Sequence, residues 1–588
     1  MMLRLLLVTG LLWVTVAPRV GGYVLEYDEE GRPLRWDLLQ LPDFVKTNSV
    51  NRQTRAIRYY VAEDAYSITN RSAEIQAVRA SFEQWEAVSG THLKFEFAGL
   101  APAGMDINTA DGTNVVYWAK QSVIVNGGND SISGTLGVCF FTYFDGNILG
   151  EADIVLNGVQ RTWYTDLLAV NPQAYFVEGV TVHEIGHWLG LSHSPVGSAS
   201  MLAYGDIGQS SQSGLSPDEV AAVRALYPAA GTPSSLAHLR GTVTKNGQPV
   251  TAAGVYLEKA DGAIVCGTAT RANGQYILSA VAPGAYVLRV APLDPPVNQW
   301  LVAAFELGDE YAMADVNFLP STNHLVTLMA GVTNVLNVSV TAGVPPFRIT
   351  QIREPTLNPL SYSISSLPIK LQPGQSNLTV GVFSQDLPSS GLDLKITGPG
   401  ITHGNLTAHA QGNPFSGLSG VSVVISVASN APLGMRSFVV TRTNDGARAY
   451  AHGFVEIQSP VPDFNFDGLD DRFQRRYFAR FTLPEAGPGA DPDGDGMVNA
   501  SEAVAGTQPT NAVSVLKVDR VIQDTAGTTI FWRSVVGKRY QVWTRDQVGS
   551  GPWLALGSPV VATNNTASFL DAGATQRALR FYRVEVLP

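Results

Sequence analysis

The segment His183-Glu184-Ile-Gly-His187-Trp-Leu-Gly190-Leu-Ser-His193 gathers three imidazoles and a carboxylate in one short stretch. On a helix, residues four apart face the same way, so His183 and His187 can offer two nitrogens to one Zn²⁺ at about 2.0 to 2.1 Å. Gly190 permits a backbone conformation that residues with side chains resist, so the chain can leave the helix and bring His193 round as the third ligand. The fourth position stays open for water. Glu184, beside the first ligand, is placed to hold that water, take its proton and later pass it to a leaving amine. The chemistry implied is hydrolysis of a peptide bond without a side-chain nucleophile. The chain has 9 His and 57 Gly in 588 residues, and five fixed positions of this kind arise by chance on the order of 10⁻⁵. That figure sets aside the reading in which the rings merely pack or face solvent.

A second constellation is acidic. Asp491, Asp493 and Asp495 stand at positions 1, 3 and 5 of a Ca²⁺ loop, Gly496 makes the sharp turn, Met497 offers its carbonyl, Asn499 fills position 9 and Glu502 can chelate at position 12. Asp463, Asn465, Asp467 and Asp471 begin a second, weaker loop, in which Gln474 at position 12 lacks the bidentate charge.

The elements that must hold these residues can be read from periodicity. Ala56–Val61 and Leu93–Phe97 alternate like strands, Ala73–Val88 repeats its apolar residues at helical spacing, and Tyr175–Leu191 reads as a second helix. Ser216, Pro217 and Glu219 open a third helix with a capping box. Residues 56–228 are therefore expected to form an α+β domain, preceded by an extension at 23–55 and followed by a linker at 229–238. Beyond it, short apolar runs between Asn-Gly, Asp-Gly and Pro-Gly turns predict all-β sandwiches at 239–341 and 345–458. The calcium segment spans 461–510, and a small β-domain follows at 514–588. The fold class expected is multidomain: α+β, then all-β sandwiches with a short calcium-binding segment.

Charged residues make up 15 % of the chain and hydrophobic ones 45 %, a balance that folds rather than stays disordered. The net charge of −11 is the wrong sign for tracking phosphates, so nucleic acid is not an expected partner. Residues 1–22 carry Arg4, an apolar run from Leu5 to Val16 and small residues at the end, the pattern of an export signal and too short for a membrane span. A secreted, extracellular protein without a membrane span follows as an expectation. Cys139 and Cys266 are read as separate buried thiols, an interdomain bridge being left open.

The zinc segment, with Ser194 after the third His and a methionine turn at Ser198-Ala-Ser-Met201, resembles the metzincin metallopeptidases and among them the matrixins. Ala80–Trp85, Gly150–Leu156 and Leu215–Val220 extend the resemblance over residues 56–227. It implies a metzincin fold, one catalytic zinc on His183, His187 and His193, Glu184 as base, Met201 beneath the rings, and a protein or peptide substrate lying along an edge strand near Ala152–Leu156. Animal matrixins hold a second, structural zinc, but Val138 and Asp153 stand where its ligands would be, so none is expected here. Their propeptide cysteine also has no counterpart between Tyr23 and Val138; either such a prodomain is lacking or residues 23–55 block the cleft differently. Tyr204, three residues after Met201, is read as packing, and residues 204–214 as the wall of the specificity pocket. Residues 239–290 resemble the carboxypeptidase regulatory-like β-sandwich, and the acidic segment resembles dockerin or thrombospondin type 3 calcium modules. Two other readings stay open: a metzincin of another family, such as an astacin-like one, and an extracellular adhesion or scaffold protein with a vestigial zinc domain, its β-domains binding a surface or polymer.

Overall fold

The computed structural model describes residues 24–587 apart from 29, 145, 168, 206, 209–213, 303–313 and 548–550, and the side chains of 299 and 300. The expected export signal lies outside the described residues. The chain divides into two compact units, residues 1–460 and 461–588.

In the first unit, five strands form one sheet: β1 (Ile57–Ala62), β2 (Phe95–Ala101), β3 (Val115–Ala119), β4 (Gly137–Phe144) and β5 (Ile148–Asn157), in the order β2-β1-β3-β5-β4. All neighbours are parallel except β4, which runs antiparallel to β5. The edge next to β5 is therefore β4, the other being β2, and the expectation that Ala152–Leu156 forms an edge is corrected. β5 is buried at every position between β3 and β4, whereas β4 is mostly half-buried, as a last strand should be.

Helix α1 (Arg71–Glu86) buries Val78, Phe82 and Trp85, one face of a helix at four- and three-residue steps. Phe82 meets Trp188 edge-on at 5.2 Å and Trp85 Nε1 donates to the Val182 carbonyl at 3.1 Å. Those partners lie on α2 (Val177–Trp188), which is buried almost all round. Helix α3 (Pro217–Leu226) starts on the expected capping box: the Ser216 hydroxyl accepts from Asp218 N–H and Glu219 accepts from Ser216 N–H.

The N-terminal extension is built into this core. Leu25, Leu34, Trp36, Leu38, Val45 and Val50 are buried in the same cluster as α1 and α2. Trp36 Nε1 donates to the Trp188 carbonyl at 2.9 Å, and Glu26 N–H donates to the Gly190 carbonyl at 2.9 Å. Removing a core Trp of this kind costs about 3 to 5 kcal/mol, so this stretch is structural for the unit.

The described residues of 237–457 are strands joined by turns, with one short helix at Gln299–Val302. Strands from both predicted sandwiches enter one eight-stranded sheet, joined where Ile264 pairs with Met435. The loop before the methionine turn is held by this β region: Gly197 N–H donates to the His452 carbonyl at 3.0 Å and the Ser198 hydroxyl to the Gly453 carbonyl at 2.5 Å. Cys139 and Cys266 are both buried, and no disulfide joins them.

The second unit contains the acidic loops, helices at Asp471–Tyr477 and Asn499–Ala505, and two three-stranded sheets that enclose Ile530, Trp532, Tyr540 and Val542.

Candidate metal centres

His183, His187 and His193 converge, with one candidate ligand atom from each lying within 4.8 Å of the others. The Nε2 atoms of His183 and His187 are 3.2 Å apart, close to the spacing of about 3.3 Å for two nitrogens on a tetrahedral zinc. Their orientation is set by main chain. Nδ1 of His183 donates to the Ser200 carbonyl and Nδ1 of His187 to the Leu191 carbonyl, both at 2.8 Å. Bonds of this kind fix the tautomer that leaves Nε2 with its lone pair toward the centre. Burial lowers the pKa of all three rings, to about 3 for His187, where the neighbouring His183 adds to the effect. Neutral, converging imidazoles are the donor set zinc requires.

Gly190 adopts φ +92, and a Cβ there would lie 2.2 Å from the Leu34 carbonyl oxygen. Glycine is therefore required twice over, by the left-handed turn that swings His193 back and by the N-terminal extension pressed against it. Met201 lies under α2: a Cβ at Gly186 would come within 2.1 Å of its sulfur. Glu219, the capping-box residue of α3, also accepts from Met201 N–H at 2.8 Å, so one carboxylate closes a helix and pins the methionine turn.

Glu184 is 4 % exposed, and its carboxylate faces β4. It accepts from the Cys139 main chain, while burial pushes its pKa up to about 8. A Cβ at Gly137 would stand 2.8 Å from Glu184 Oε1. A nearby divalent cation returns such a carboxyl to its ionised form.

Several residues that hold this site escaped the sequence reading. Gly137 clears room for the base. Asp218 accepts from the Ser194 hydroxyl at 2.7 Å and from Gly267 N–H at 2.8 Å, tying the residue after His193 to the β region. Their signal was weak because each acts across a long sequence separation. Tyr204 is 47 % exposed, which corrects its assignment to packing: it belongs to a surface loop. Of the expected specificity wall, residues 206 and 209–213 lie outside the described residues.

At the place considered for a second zinc, Asp153 accepts from Asn108 and Val115 N–H, and Glu151 from Gly112 and Thr113 N–H. The two carboxylates clamp the loop before β3. Val138 packs with Tyr117 and Val155.

In the second unit, Asp491, Asp493 and Asp495 form the other cluster able to hold a metal among the described residues. Asp491 accepts from Gly494 and Gly496 N–H, Asp493 from Asp495 N–H and Asp495 from Met497 N–H. These bonds turn the loop inward. Four carboxylate oxygens, one each from Asp493 and Asp495 and both from Glu502, remain buried without a hydrogen-bond partner. Burial and the neighbouring aspartates push Glu502 up to about 7. Buried, unsatisfied oxygens on converging carboxylates fit a Ca²⁺. Asn499 donates to the Glu485 and Gly487 carbonyls, with its own Oδ1 buried and unpartnered. The Asp463 loop differs: the amides of Asn465 and Gln474 donate to Asp467, and Asp463 accepts from Asp467 and Gly468 N–H. Asp471 accepts from Phe464 N–H.

A mixed sheet with one antiparallel edge strand, a buried helix carrying two metal-facing imidazoles and a third histidine brought back by a glycine turn together define a zinc metallopeptidase domain in general. Comparison with known families agrees: residues 51–228 match the model described as Matrixin, and residues 238–294 match the carboxypeptidase regulatory-like domain. No curated protein matches the chain.

Proposed function

We propose that the protein is a secreted zinc endopeptidase in which Glu184 is the general base and His183, His187 and His193 hold the metal. The observation that carries this reading is the convergence of three neutral imidazoles beside a buried carboxylate. Zinc bound there would acidify a coordinated water from about 15.7 toward 7 and polarise the scissile carbonyl. Glu184 holds the attacking water, accepts its proton, and delivers that proton to the amide nitrogen as the peptide bond breaks. An extended substrate adds to the sheet along β4 by main-chain pairing, which sets its carbonyl over the site. Met201, pinned by Glu219, supports the rings from below. The Asp491 loop takes Ca²⁺ and orders the second unit; the Asp463 loop is the weaker site.

The test is Glu184→Gln in the zinc-loaded protein with casein or gelatin. Zinc content should stay at one per chain while cleavage falls by about 10²- to 10⁴-fold. Undiminished cleavage contradicts the assignment of the base, and an inactive wild type that binds zinc favours the scaffold reading.

A further inference from the structure

The five-stranded sheet of residues 351–427, ordered 364–365, 351–356, 378–384, 419–427, 401–409, has two unlike faces. Ile352, Val380, Val382, Val421 and Val423 fill the core on one. On the other, alternation places Arg353 opposite Gly381 and Gly381 opposite Ser422. A Cβ at Gly381 would come within 2.6 Å of the Ser422 hydroxyl, so the glycine leaves the path along which the guanidinium reaches that hydroxyl at 3.0 Å.

Arg353 is 1 % exposed. Its remaining acceptors are neutral, the carbonyls of Pro359 and Ser361, and its guanidinium stacks 4.2 Å from the Tyr362 ring centre. Nε is buried without a partner, and among the described residues no carboxylate pairs with the group. The other fully buried arginine, Arg436, has Asp261 at 3.5 Å. A buried cation is expensive unless an anion meets it, and here none of the chain's described carboxylates does.

The guanidinium lies at an open-mouthed cavity of about 60 Å³. At about 10 to 15 Å³ per water on this measure it takes about four to six waters, room for the carboxylate end of a sugar acid whose ring then lies at the open rim. Its other polar lining is neutral: Thr379, Asn405, Thr407, His409 and Ser422. His409 bonds Ser422 at 2.9 Å. A single uncompensated positive charge surrounded by hydroxyl and amide groups matches a ligand with one carboxylate and several hydroxyls.

We propose that this cavity binds a sugar acid, with its carboxylate on Arg353 and its hydroxyls on Asn405 and Thr407 at the rim. The site is separate from the zinc centre and gives the β region a defined attachment point for an acidic polysaccharide. Calorimetric titration of the full chain with D-glucuronate, D-glucose and acetate, at fixed ionic strength, tests it. Glucuronate should bind at least tenfold tighter than either other probe. Asn405→Ala with Thr407→Val, both at exposed positions, should weaken glucuronate at least threefold without changing the thermal midpoint. Arg353→Lys should weaken it at least tenfold. Absence of glucuronate binding to the folded protein, equal binding of glucose, equal binding of acetate, or an unaffected rim variant overturns the proposal.

Discussion

The histidine centre and the Asp491 loop solve the same problem, gathering ligands for a cation, in opposite ways. The imidazoles are neutral, and helix α2, the Ser200 and Leu191 carbonyls and the Gly190 turn hold them in place. That arrangement satisfies its own polar groups around the ring Nδ1 atoms of His183 and His187, so the first unit has the geometry before any metal arrives. The acidic loop is held by its own backbone N–H groups and leaves four carboxylate oxygens buried and unmatched. On the proposed reading, the preorganised site takes its metal for chemistry, whereas the loop of unpaired charge takes Ca²⁺ to become ordered. The Asp463 loop sharpens the contrast, because its amides do for Asp467 what a cation would otherwise do.

The largest expected effect is on catalysis. His187→Ala should reduce bound zinc from one per chain to none and cleavage to background, while calcium titration of the second unit stays unchanged. A parallel loss of calcium response would break the distinction between the two centres. Next in size is the support behind the histidines: Trp36→Ala should destabilise the first unit by about 3 to 5 kcal/mol, read by denaturant unfolding, with little change in the second unit's transition. If the first unit keeps its stability, the N-terminal extension is not part of the core.

Calcium at a hundredfold its dissociation constant should stabilise the second unit by about 2.7 kcal/mol. Glu502→Gln should abolish most of that gain, and Gln474→Glu should add a second calcium site, because the new carboxylate no longer donates to Asp467. Calorimetry with and without Ca²⁺ reads both. An unchanged calcium response in Glu502→Gln would contradict the role given to position 12.

The last effect concerns pH. Burial raises Glu151 to about 8 and Asp153 to about 7, and the charge of Asp111 adds to both. These carboxyls keep protons in the fold that the unfolded chain releases near pH 4, so their contribution is complete below pH 4 and is lost as pH rises through 7 to 8. Thermal stability of the first unit should fall between about pH 5 and pH 7 by up to about 2.7 kcal/mol per pH unit, two protons at about 1.4 each, and level off above about pH 8. Asp153→Asn should flatten the slope. A slope of the opposite sign would show that the four N–H groups meeting this pair outweigh its burial.

The convergence of the three histidines was legible because its information is local. Two histidines a helical turn apart, a glycine and a third histidine specify a centre almost without reference to the rest of the chain, and the capping box of α3 is equally self-contained. Sheet order was not local. β5 carries Glu151 and Asp153 among its apolar residues and so reads like a half-exposed strand, but which strand lies outside depends on pairing with β3, so the edge was misplaced. The supports of the site share this character: Gly137 beside Glu184, Asp218 bridging Ser194 and Gly267, and Trp36 on the Trp188 carbonyl are contacts across dozens to hundreds of residues. In the acidic loops the spacing was visible, but their difference rests on Asn465 and Gln474 standing where the other loop has Asp493 and Glu502, and its consequence emerges only from which side-chain atoms are left without partners.

The most direct test is anomalous diffraction from crystals of the full chain grown with Zn²⁺ and Ca²⁺, recorded on both sides of the zinc edge. One zinc peak about 2.0 to 2.1 Å from a nitrogen of each of His183, His187 and His193, with the fourth position facing Glu184, is the expected result. A peak that lacks one of these rings, or a fourth protein side chain filling the position beside Glu184, would contradict the account.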